Sequence, residues 1–236
     1  MVIIVCCEHC SHESSCLITV PVFKGLNEED IQQLRKVTRS RKAHKGEYIF
    51  REGERSSTLF VVKEGLIKLT KTSADGKEQI VRLLFPGDFF GLYSLLRDEK
   101  HYINAEAVQQ TMICSIEKND FLKTMEGNSD MAFRFLVAMN DRLYEADESM
   151  GNLSLMEVEQ RLAKALLLFH DKMNIQNEAF TLPITKKDLA SFIGTTPESV
   201  SRKLLTFMSK NIITMEGQRQ LQILKLDQLK RISEFG

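Results

Sequence analysis

The segment TKKDLASFIGTTPESVSRKLLTFMSKN, Thr185 to Asn211, decides the fold of this chain. Thr185 is a good helix N-cap, and Asp188 three residues later completes a capping-box-like pair. A short helix over Asp188–Ile193 is then broken at Gly194. Thr196 caps a second helix with Pro197 at its first position, where the missing N–H costs nothing. That helix runs to about Asn211. Ala190 lets the two helices approach closely, Gly194 permits a left-handed turn, and Val200 fills the angle between them. Spacings of four and six residues are what a helix-turn-helix requires sterically. Downstream, Ile212-Ile213-Thr214 and Leu221-Gln222-Ile223-Leu224 flank Glu216-Gly217, which reads as a hairpin, the wing of a winged helix.

On the second helix Glu198, Ser201 and Arg202 stand at i, i+3 and i+4, so they share one face near its N-terminal end. A recognition helix reads bases with its N-terminal residues. Arginine binds guanine O6 and N7 in bidentate fashion, and glutamate accepts from cytosine N4. Thr195, Thr196 and Ser199 are placed to meet phosphates, where the free N–H groups of the helix also point. An exposed Glu–Arg pair alone would give the same three residues. The Ala/Gly/Val spacing and the wing around them argue for double-stranded DNA as partner. Lys+Arg and Asp+Glu number 32 each in 236 residues, so the whole chain is no electrostatic DNA binder. From Glu157 to Gly236 there are 12 basic against 9 acidic residues, which permits a DNA-binding C-terminal part.

Ahead of this segment lies a helix over roughly Glu157–Met173, with Leu162, Ala165, Leu166 and Phe169 on one face. Between Asp130 and Leu153 there is no proline. Leu136, Met139, Leu143, Ala146, Met150 and Leu153 fall at alternating steps of three and four, an a/d seam. Asp141, Arg142, Glu145, Asp147 and Glu148 flank it. An uncharged seam of this kind predicts a parallel homodimer, and a helix packing on its own domain is the alternative. Residues 40–120 are different. Tyr48–Phe50, Leu59–Val62, Leu66–Leu69, Ile80–Leu84 and Met112–Ile116 are β-rich runs punctuated by Gly46, Gly53, Gly65, Gly76 and Gly87, which suggests a sandwich or barrel. No stretch has the roughly 20 apolar residues of a membrane span. With no basic signal-peptide start, the expected compartment is the cytoplasm, with no membrane association and few disulfides. No nucleophile elbow, P-loop or zinc-protease motif points to an enzyme.

Four of the five cysteines, Cys6, Cys7, Cys10 and Cys16, fall within eleven residues, and Cys114 stands alone far downstream. Thiolates suit iron–sulfur clusters or zinc. A zinc site would use the C-x2-C pair Cys7/Cys10 with Cys16 and Cys114, or recruit His9 and His12. A thiol switch would pair Cys6 or Cys7 with Cys16.

In this order, β-roll, long helix and C-terminal winged helix resemble the CRP/FNR superfamily of bacterial transcription regulators. The Glu198-x-x-Ser201-Arg202 face is similar to its FNR branch. That resemblance implies an α+β chain with four parts: a cysteine-rich cluster-binding arm (1–20), a jelly-roll, cyclic-nucleotide-binding-like β-roll sensor (21–128), a dimerisation helix (129–156) and a winged helix-turn-helix DNA-binding domain (157–236). It also implies palindromic TTGAT-like target sites and RNA polymerase as a further partner. The C-x2-C-x5-C triplet and the Thr111–Glu117 context of Cys114 resemble the branch's cluster ligands. They imply an oxygen-sensing [4Fe–4S] cluster on Cys7, Cys10, Cys16 and Cys114, with Cys6 spare and zinc or no metal as the alternative. His101-Tyr102-Ile103-Asn104 lacks the arginine with which the cyclic-nucleotide branch holds a phosphate, which argues against cAMP.

Overall fold

The structure, a computed structural model, describes Val5–Cys6, Val20, Phe23, residues 26–173 and residues 179–235. In chain order the elements are β1 (Val5–Cys6), α1 (Glu28–Val37), β2 (Arg39–Ala43), β3 (Tyr48–Phe50), β4 (Thr58–Glu64), β5 (Ile67–Thr72), β6 (Glu78–Leu84) and β7 (Phe89–Phe90). There follow α2 (Leu92–Arg97), β8 (Asn104–Ala107), β9 (Thr111–Glu117), α3 (Lys118–Glu126) and the long α4 (Ser129–Leu155). The C-terminal part holds α5 (Val158–Lys172), β10 (Phe180–Thr181), α6 (Lys186–Ile193), α7 (Pro197–Ser209), β11 (Ile213–Glu216), β12 (Gln220–Ile223) and α8 (Leu226–Phe235). Two compact units divide the chain: residues 1–71 with 81–144, and residues 72–80 with 145–236. Among the described residues no helix is long and apolar enough to cross a membrane.

In the first unit, a five-stranded sheet of order β1-β2-β9-β4-β7 and a four-stranded sheet of order β3-β8-β5-β6 remain separate sheets and do not close into one barrel. The period-2 alternation of strands explains why the five-stranded sheet has two apolar faces. Phe60, Val62, Phe90 and Ile113 pack with Phe50, Ile67, Leu84 and Ala105 of the other sheet. The alternate residues Leu59, Val61, Phe89, Cys114 and Ile116 pack instead with Leu34 of α1, Phe121 of α3, and Met131 and Phe135 of α4. Arg142 anchors α4 to this unit: its guanidinium lies 3.5 Å over the Phe89 ring and donates to the Phe89 carbonyl. Gly65 turns β4 into β5 at φ 94°, and a Cβ there would lie 2.5 Å from the Thr111 hydroxyl, so only glycine serves.

This packing corrects the expected metal centre. The Cys114 side chain is 0% exposed and belongs to the apolar cluster beneath α1, α3 and α4. A [4Fe–4S] or zinc site needs several thiolate, imidazole or carboxylate donors converging on one point. Among the described residues there is no group of three or more His, Cys, Asp or Glu that holds such a geometry. Cys7, Cys10 and Cys16 lie outside the described residues. For Cys114, alternation along β9 selects a core position, and the residue fills it as a small hydrophobe.

His101 is also a packing residue. Its ring stacks on Phe50 with centroids 3.5 Å apart, and Nδ1 lies 3.0 Å from the Ser94 hydroxyl. Burial holds its pKa below the ordinary imidazole value, against a smaller opposing pull from Glu54. The unfolded chain therefore binds a proton that the folded one refuses, and stability falls as pH drops below about 6.5. Melting curves between pH 8 and 5.5 are expected to show this loss, and His101→Asn is expected to flatten it. An unchanged pH slope in His101→Asn would assign the effect elsewhere.

In the second unit α5 supplies the buried stripe Leu162, Ala163, Ala165, Leu166 and Phe169. Leu189, Ala190, Ile193, Val200, Leu204, Phe207, Ile213, Leu221 and Leu229 complete its core. Each fully buried Leu or Phe contributes about 1.5–3 kcal/mol relative to exposure. β10, β12 and β11 form a three-stranded antiparallel sheet, with Ile213 opposite Ile223 and Phe180 opposite Leu221.

Candidate nucleic-acid interface

The geometry of the helix pair follows from its caps. The Thr185 hydroxyl accepts from the Asp188 N–H at 3.0 Å and donates to the Asp188 carboxylate at 2.5 Å, which starts α6. Gly194 ends it in the left-handed region (φ 67°, ψ 50°), and the Thr195 N–H returns to the Ala190 carbonyl at 2.9 Å. A side chain at Gly194 would cost about 1–2 kcal/mol in backbone strain, and its Cβ would sit 2.7 Å from Leu153 Cδ2. Arg161 of α5 braces the same turn, donating to the carbonyls of Leu153 (3.1 Å), Met156 (2.8 Å) and Gly194 (3.3 Å). Thr196 then caps α7, accepting from the Ser199 N–H at 3.3 Å, with Pro197 in the first turn.

Val200, Leu204 and Phe207 face inward from α7. Salt bridges from Lys203 and Lys210 to Glu159 of α5, at 2.7 and 3.4 Å, hold α7 from a second side. What remains outward includes Thr196, Glu198 and Arg202, all exposed, with Thr195, Ser199 and Ser201 partly so. Arg202 donates to the Ser199 hydroxyl at 3.2 Å, and the Thr196 hydroxyl lies 3.3 Å from the same oxygen. The Glu198 carboxyl is held below the usual range by its own backbone N–H first, then by the Thr196 hydroxyl and the Arg202 charge. It is therefore an ionised, acceptor-only group at the start of a helix, beside a cation with a planar fork of donors. That pairing presents acceptor and donor side by side to any edge that carries both. The hydroxyls of Thr196 and Ser199, read from sequence as phosphate contacts, are also engaged in capping and in orienting Arg202.

The seam residues of α4 divide. Leu136, Leu143, Met150 and Leu153 are exposed, as is Ala146. Met139 packs against the helix-covered core of the first unit instead. Sequence reading missed Phe133, Val137 and Tyr144, which are exposed on the same helix. Their spacing of four and seven marks a second apolar stripe, a signal that was available.

Two family profiles match the chain: a cyclic nucleotide-binding domain over residues 40–128 and a Crp-like helix-turn-helix domain over residues 160–232. The chain is 30% identical over 216 residues to the cyclic AMP receptor protein of Thermus thermophilus, covering 92% of this chain and 97% of that one. It is 26% identical over 215 residues to an anaerobic regulatory protein of Bacillus subtilis, with 89% and 90% covered. The structure of FixK2 from Bradyrhizobium japonicum superposes with a TM-score of 0.78 at 24% identity, covering 85% of this chain and 99% of that one, a likeness of fold.

Proposed function

Given that the chain belongs to the CRP/FNR superfamily of DNA-binding transcription regulators, and is thus not an enzyme, we propose that it is a clusterless homodimer reading palindromic, TTGAT-like half-sites with α7. The observation that carries this reading is the outward turn of Glu198, Ser201 and Arg202, with the ionised Glu198 beside Arg202. In a TTGAT-like half-site the guanine offers O6 and N7 to arginine, and its paired cytosine offers N4 to glutamate. One base pair thus answers both charges. A homodimer supplies two such helices, which is why an inverted repeat is the matching target.

The input is a small-molecule effector received by the β-roll. The match of residues 40–128 to cyclic nucleotide-binding domains supports this. Cys114 takes no part in a thiol switch, because a thiol sealed in an apolar core is out of reach of oxidants; the pairing of Cys6 or Cys7 with Cys16 falls on Cys7 and Cys16, which lie outside the described residues. The lack of an arginine in His101–Asn104 to neutralise a cyclic phosphate favours an effector other than cAMP. The output is recruitment or obstruction of RNA polymerase at the bound site.

Selection of bound duplexes from a random pool tests the reading. Inverted TTGAT-like repeats are the expected product. Enrichment of a single unrepeated motif, or of no motif, would overturn it.

A further inference from the structure

Leu205 is 63% exposed on α7. It stands three residues beyond Arg202 and four beyond Ser201, so it shares their side of the helix one turn on. At 100° per residue it lies about 60° around the helix from Arg202 and about 130° from the buried stripe of Val200, Leu204 and Phe207. The rest of that outward side is polar: Glu198, Arg202, Thr206 and Ser209. A single exposed leucine is ordinary on a protein surface. A leucine set among the residues proposed to read bases is different, because DNA binding would bury it.

The major groove offers one apolar feature to such a side chain, the C5-methyl of thymine. We propose that Leu205 is a specificity-determining residue that packs against a thymine methyl. The proposal rests on the reading that α7 enters the major groove. Leu205 lies about 4.5 Å further along the helix axis than Arg202, and base pairs stack about 3.4 Å apart. Whatever the inclination of α7 in the groove, that offset bounds the separation, and the thymine lies within two base pairs of the guanine that Arg202 reads. TTGAT-like half-sites place thymines at that distance.

The test uses the full chain and the duplex selected from the random pool. Each thymine near the guanine is replaced in turn by uracil, which lacks the methyl but keeps every hydrogen-bonding edge. One substitution, within two base pairs of the guanine, is expected to weaken binding about fourfold, the worth of one buried methyl-sized group. Leu205→Ala is expected to bind the thymine and uracil duplexes equally, and Leu205→Met to keep the discrimination. Indifference of the unaltered protein to uracil at every position would overturn the proposal, as would the same uracil loss in Leu205→Ala. A pool yielding no recurring site would instead sink the reading of α7, and this proposal with it.

Discussion

Arg202→Ala is expected to weaken binding to the selected site by about 1–3 kcal/mol and to relax the preference at a single guanine. The size follows from what the side chain offers: two parallel N–H donors matched to O6 and N7, an interaction no other base provides. The locality follows from how the side chain is held. Ser199 accepts from Arg202 at 3.2 Å, and the charge of Glu198 lies beside it. That hydrogen bond restrains one end of the guanidinium before DNA arrives, so part of its rotamer freedom is already lost. The fold should not register the change, because Arg202 is exposed and the core contacts of α7 come from Val200, Leu204 and Phe207. Binding isotherms on the selected duplex and on duplexes altered at each base pair, with a melting curve as control, decide the matter. Equal loss on every sequence would make Arg202 a phosphate contact. The neighbouring Lys203 has a different job: bonded to Glu159 at 2.7 Å, it ties α7 to α5.

The helix pair was legible in sequence because its requirements are local and steric. Small Ala190, left-handed Gly194 and wedge-like Val200 sit at fixed offsets, and the caps Thr185 and Thr196 use side chains within three residues. The long strands were legible for a similar reason, since Gly65 and Gly76 mark their turns. β2 was not, because Arg39-Ser40-Arg41-Lys42-Ala43 has one apolar residue and is strand only through its pairing with β9. Cys114 shows where such reading stops. Alternation correctly puts it on one face with Ile116, but says nothing about what covers that face. The cover comes from α1, α3 and α4, whose residues are distant in sequence, and it turns a ligand candidate into core. The same limit divides the α4 seam: a periodic stripe shows that the helix has an apolar side, not that Met139 packs against the core of the first unit. Leu205 needed no distant information. Its offset of three from Arg202 and four from Ser201 puts it on their side of the helix from sequence alone.

Leu143→Asp is expected to abolish the homodimer and, with it, tight binding to the palindrome. Leu143 is 63% exposed, midway between Leu136 and Met150, which are exposed to the same degree. The three repeat at seven residues, so they fall on one line of α4, a helix about 40 Å long. In a two-fold dimer each of them meets its own copy or a near neighbour. An aspartate at the central position is buried twice by symmetry, with no cation on the stripe to answer it. An uncompensated buried charge costs about 3–5 kcal/mol. Arg142 cannot swing across to pair with it, because its guanidinium is committed to the Phe89 ring and carbonyl. Sedimentation at micromolar concentration should therefore find a monomer. DNA binding should fall to that of one half-site, because the second helix is no longer held at the spacing of the repeat. Met139→Asp separates the two roles of α4. Met139 packs on the core of the first unit, so its replacement should lower the melting temperature. A Leu143→Asp protein that still sediments as a dimer would put the interface on another surface, and the apolar stripe of α4 would then need a different partner.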